Sequence, residues 1–137
     1  KEFFKSLISV EFKESFIFHG WKSRDEVDII MKACYLLIFP SIYPEAFGIS
    51  GIEAMMRGKP VVGFDVGGVS TWLKNEETGF LVPVKDIDGL TEKTILLLND
   101  QNLYKKMSKA SRVVALREFR KVEHMSKLLN VYKQALN

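Results

Sequence analysis

The sequence predicts an α/β fold: a Rossmann-like parallel sheet covered by helices, with further helices at the C-terminal end. Two patterns and the composition carry that expectation. Four short β-type runs, at 16–19, 35–39, 60–65 and 79–82, alternate with segments of helical periodicity. Beyond Pro83 the strand signals stop and capped helical patterns take over. Of the 137 residues, 47% are hydrophobic, which suits a globular chain with one core.

The elements follow in order. The run at 16–19 is the first expected strand. Ser23 followed by Glu26 is a capping-box signature, and Val27, Ile30 and Met31 give one apolar stripe to a helix reaching Ala33. LLIFPS, at 36–41, is short enough for a buried strand and is closed by Pro40. A helix over 48–57 carries Ile49, Ile52, Met55 and Met56 at core spacing; Gly58 stops it and Pro60 begins the next apolar run. A brief helix follows Gly67 and Gly68, and 77–79 turns into the last strand. Asp86 and Asp100 cap helices over 87–99 and 101–116. A final helix takes up most of the remainder, with Val122, Met125, Leu129, Tyr132 and Leu136 on one stripe. No repeat, low-complexity tract or linker interrupts the chain, so 1–137 reads as a single domain with a C-terminal helical segment over about 101–137.

Composition narrows the partners. The N-terminal KEFFKSLISVEF is amphipathic and lacks the uninterrupted apolar core of a signal peptide or membrane span, so a soluble protein is expected. Cys34 is the only cysteine, which rules out an internal disulfide or a cysteine metal cluster and fits a reducing cytoplasm. The formal charge of +3 is too small to argue for nucleic acid. The tail from Gln101 is more basic, with Lys105, Lys106, Lys109, Arg112, Arg117, Arg120, Lys121, Lys127 and Lys133 against Glu118 and Glu123. Its plain reading is a solvated helix face; the sharper one is peripheral contact with an anionic membrane surface, or contact with a partner domain.

The most informative segment is PEAFGISGIEA, at 44–54, where Glu45 and Glu53 stand eight residues apart across a strand-to-helix junction rich in small residues. A helix N-terminus facing the carboxyl end of a parallel strand offers free N–H groups and a positive dipole end, which suits a diphosphate. Two carboxylates beside it accept hydrogen bonds from hydroxyls, and a nucleotide sugar carries hydroxyls on both sides of its phosphates. A helical rise of ~1.5 Å per residue spans roughly 12 Å over eight residues, comparable to such a ligand. Taken alone, a pair of glutamates at this spacing is as well explained by a loop acid and a solvated helix acid.

In this order, FIFHGW (16–21), PSIYPEAFG (40–48), IEAMMRGKPVV (52–62), the Gly67-Gly68 pair and TGFLVP (78–83) resemble the C-terminal, donor-binding half of the GT-B glycosyltransferases. More narrowly, they resemble the retaining group-1 type that includes glycogen and sucrose synthases and bacterial mannosyl and glucosyl transferases. The resemblance implies transfer of a sugar from a nucleoside-diphosphate sugar, without a metal or other cofactor. It assigns Glu45 to the donor sugar hydroxyls as the catalytic-side carboxylate, and Glu53 to the ribose hydroxyls. The backbone of Phe47, Gly48 and Ile49 would face sugar and diphosphate, and Gly20 and Trp21 would border the base. Trp21 reads equally as a stacking ring or a cover for the sheet edge. His19 reads as structural or base-flanking rather than as an acid or base. Gly67 and Gly68 read first as tight-turn residues, and second as a close approach to the donor.

The chain departs from the family pattern in two places. Ser70 and Thr71 stand where a proline and a glutamate usually follow the glycine pair. The unit carrying the family's basic diphosphate clamp has no match, nor has the acceptor-binding N-terminal domain. The expectation is therefore a partial domain with the family's first two strands absent and little activity alone; if it folds by itself, its run at 16–19 has to pair somewhere unexpected, or the open edge has to be met by another chain. A ladder joining 16–19 directly to 35–39 would contradict the inherited sheet order. Two other classes compete: a sugar-nucleotide epimerase, which needs further acid and base groups, and a non-catalytic nucleotide-binding or receiver-like module. A phosphorylated receiver needs acids after its first strand, and none follows 16–19.

Overall fold

Val61, Val62, Gly63 and Phe64 are buried at every position, the pattern of a strand covered on both faces. They form β2 (Val61–Phe64), the centre of a three-stranded parallel sheet in the order β1–β2–β3, flanked by β1 (Leu37–Phe39) and β3 (Gly79–Val82). Leu37 pairs with Val61 and Phe39 with Gly63; Val61 pairs with Gly79 and Phe64 with Val82. The computed structural model describes residues 2–136. They fall into two compact units, Lys1–Met31 and Lys32–Asn137.

The first unit holds α1 (Glu2–Ser6), a 3-10 helix (Val10–Ser15) and most of α2 (Arg24–Ala33). The expected capping box opens α2. The Ser23 N–H donates to Glu26 Oε2 at 2.9 Å, and the Glu26 N–H to Ser23 Oγ at 3.3 Å. Lys22 adds a 2.8 Å contact to Glu26 Oε1. Lys22 and the Ser23 N–H, in that order, hold the Glu26 carboxyl down at about 2.

The run at 16–19 is not a strand, which corrects the sequence expectation. Its β-type residues reflect propensity, whereas a strand exists only where a neighbour takes up its N–H and C=O groups. No ladder forms on 16–19 among the described residues, so the contradicting pairing with 35–39 is not seen either.

In the second unit, α3 (Ile49–Met56), α4 (Val69–Trp72), α5 (Ile87–Asn99), α6 (Gln101–Glu118) and α7 (Lys121–Ala135) follow the strands. Asp86 caps α5 by accepting the Gly89 N–H at 2.9 Å, and Asp100 caps α6 by accepting those of Asn102 and Leu103. The core is built from Met55, Phe64, Trp72, Leu73, Leu97 and Met107, all essentially inaccessible.

The C-terminus of α3 ends in a Schellman turn. Gly58, at φ 68°, donates to Met55 O, and Lys59 donates to Ala54 O. α6 satisfies the neighbouring carbonyls: Ser108 Oγ donates to Gly58 O and Arg112 Nη1 to Met56 O, each at 2.7 Å. Buried Ser111 donates to Thr78 O at 2.7 Å, tying α6 to the entry of β3. At the start of β1, the Tyr104 ring stacks on Tyr35 with centroids 3.8 Å apart, and its hydroxyl donates to the Tyr35 carbonyl. The stripe on α7 stays exposed, Val122, Met125, Leu129, Tyr132 and Leu136 included. Among the described residues, no helix is long and apolar enough to cross a membrane.

Candidate functional site

Two loops meet where β1 and β2 end, at the carboxyl edge where open parallel sheets bind ligands. The first, 40–48, carries Glu45 into α3; the second, 65–68, leads into α4. Glu45 is half-buried, and its Oε1 accepts the Ser41 hydroxyl at 2.9 Å. The Glu45 carbonyl accepts the Gly68 N–H at 2.7 Å. The glycine pair owes its residue type to this contact: a Cβ on Gly67 would lie 2.4 Å from the Glu45 carbonyl oxygen, and one on Gly68 2.4 Å from that of Ala46. The close approach is thus to the backbone of the Glu45 loop.

Further along, the Phe47 carbonyl accepts the indole N–H of Trp72, and the Phe47 ring meets Phe119 edge-on at 5.7 Å. Gly48, at φ 81° and ψ 57°, turns the chain into α3. That helix has no side-chain cap and no acid in its first turn. The Gly51 N–H returns to the Gly48 carbonyl at 3.0 Å, which leaves those of Ile49 and Ser50 leading the positive end. Ile49 is exposed, and half-buried Glu53 lies four residues on, on the same helix face. Because α3 begins only at Ile49, helical rise separates Ile49 from Glu53 by about 6 Å, and Glu45 stands apart from it in the loop.

Glu45, Phe47, Gly48, Ile49 and Glu53 therefore share one loop–helix segment. Gly20 and Trp21 belong to the other unit and are described there: Gly20 adopts φ 70°, and Trp21 is 91% exposed. His19 lines a shallow cleft of about 200 Å³ with Lys22, Glu26, Ile29 and Ile30. Two contributors escaped the sequence reading, Ser41 and Trp72. Ser41 gives no periodic signal. For Trp72 the available sign was Gly51, since a glycine inside a helix marks room kept for a neighbour.

Comparison with known proteins agrees with this architecture. The family described as "Glycosyl transferases group 1" matches residues 1–114. The chain belongs to the group 1 family of glycosyl transferases. N-acetyl-alpha-D-glucosaminyl L-malate synthase from Bacillus anthracis is 33% identical over 92 residues, covering 67% of this chain and 24% of that enzyme. Sucrose-phosphate synthase from Thermosynechococcus elongatus superposes with a TM-score of 0.85 at 27% identity, over 98% of this chain and 34% of the other. Anabaena HepE, solved in complex with UDP-glucose, superposes with a TM-score of 0.78 at 25% identity, over 85% of this chain and 32% of its own. The chain thus spans about a quarter to a third of the length of these relatives.

Proposed function

We propose that this chain is the donor-binding part of a glycosyltransferase that moves a sugar, with retention, from a nucleoside-diphosphate sugar to an acceptor. One observation carries the reading: α3, uncapped by any side chain or first-turn acid, rises out of the loop bearing Glu45 and presents Glu53 one turn later. The diphosphate would lie against the Gly48, Ile49 and Ser50 N–H groups, where the helix dipole stabilises charge developing on the leaving group. Glu45 would accept hydroxyls of the donor sugar through the lone pairs that Ser41 leaves open, holding the reacting carbon in place. Glu53 would accept the ribose hydroxyls. No cofactor enters, because the nucleotide sugar is itself the substrate. The complex of HepE with UDP-glucose supports this donor class.

The reading also holds that donor binding alone is not transfer. The residues described here account for holding the donor, and transfer needs an acceptor brought to the same carbon.

Titration of UDP-, GDP- and ADP-sugars, followed by calorimetry, tests the assignment. One of the three should bind, and Glu53→Ala should weaken it about tenfold or more, as expected for a hydrogen bond to a charged group. Equal affinity of Glu53→Ala and the native chain would remove the ribose assignment.

A further inference from the structure

Trp72 is inaccessible to solvent, yet it reaches the loop on which the proposed donor site is built. Its ring lies directly over the first turn of α3: a Cβ on Gly51 would sit 2.1 Å from its Cη2, and one on Gly48 3.3 Å from its Cζ2. Phe39 of β1 meets the same ring edge-on, centroids 5.9 Å apart. Held on these sides, the indole donates its N–H to the Phe47 carbonyl.

Two carbonyls of the loop are thus drawn toward α4 and its N-terminal flank, that of Glu45 by the Gly68 N–H and that of Phe47 by Trp72. A trans peptide is planar, with its C=O and N–H pointing in opposite directions, and no cis bond occurs among the described residues. Drawing those carbonyls toward α4 turns the N–H groups of Ala46 and Gly48 away from it. We infer that Trp72 is a positioning residue for the donor loop: its indole N–H sets the Phe47–Gly48 peptide so that the Gly48 N–H joins those of Ile49 and Ser50 at the head of α3. The role rests on the donor reading above. It assigns diphosphate recognition partly to a side chain that never touches the ligand.

Nitrogen-15 NMR of the chain, with UDP, GDP and ADP as probes, tests this. Without ligand, the Trp72 indole N–H should exchange slowly and the Gly48 amide fast; a fast-exchanging indole at Trp72 overturns the inference at once. With the nucleotide that binds, the Gly48, Ile49 and Ser50 amides should shift. Trp72→Phe should weaken binding about five- to tenfold, the worth of one hydrogen bond, while the β2 and β3 signals stay in place. Incorporating the isosteric benzothienylalanine at position 72 keeps the ring and removes only the donor, so it decides the matter should Trp72→Phe unfold the chain. Unaltered affinity in these variants overturns the Trp72 role and leaves the donor reading standing. Silence of all three amides toward every probe in the native chain removes the donor reading, and the role with it.

Discussion

At Gly51 a single absent methyl decides the geometry of the loop. A Cβ there would fall 2.1 to 2.7 Å from three ring atoms of Trp72, deeper than any rotamer shift absorbs. Gly51→Ala is therefore expected to destabilise the chain by about 1–3 kcal/mol, the usual cost of overpacking, and to displace the indole from Phe47. Gly20→Ala supplies the contrast. At φ 70° it meets no atom within 4 Å, so only the left-handed backbone is strained, at about 1 kcal/mol. Urea unfolding orders the two, and the emission of buried Trp72 should move toward that of exposed Trp21 in Gly51→Ala alone. At this scale the sequence was legible where chemistry is local. Glu45 and Glu53 stand in one continuous motif and can be read from it. The bond between Trp72 and Phe47 joins residues 25 apart in sequence, and no spacing rule announces it.

Elements were legible where each has its own stop and start signals. The helix Ile87–Asn99 and the strand Gly79–Val82 have the expected bounds, because Asp86, Asp100 and the turn before Gly79 mark them locally. The run at 16–19 was misread because its β propensity is local while its partner is not. The start of α2 offers an element-scale prediction. Glu26 is held at about 2 against an ordinary value of 4.5, by Lys22 first and the Ser23 N–H second. A depressed folded-state value means that the carboxylate favours the folded helix. This contribution is fully present above about pH 4.5 and is lost as pH falls through about 2. Both partners are partly exposed, so salt weakens the Lys22 share. Carbon-13 titration of the Glu26 carboxyl should give a midpoint well below those of unpaired glutamates, and Glu26→Gln should flatten the acid-side loss of α2 helicity. A midpoint near 4.5 would mean that the capping box does not persist in solution.

Across the whole molecule, stability is expected to be unevenly spread, because burial is. Among the described residues, the buried hydrophobic side chains run from Ile52 to Ala115, so each lies within the second unit. Free energy of local opening follows buried apolar contact, and amides that open only with the whole core exchange slowest. Hydrogen exchange should therefore show one slow cooperative block made of α3, β2, β3 and the buried face of α6. The same block holds the far end of α3 through Ser108 and Arg112, which means that the head of that helix is anchored by the most stable part of the chain. Residues 2–31, and α7 with its exposed stripe, should exchange by separate, lower-energy openings. Loss of the cap at Glu26→Ala should then speed exchange in α2 and leave the slow block untouched. Protection of 5–31 equal to that of β2 would contradict this division, since none of the side chains described there is fully buried.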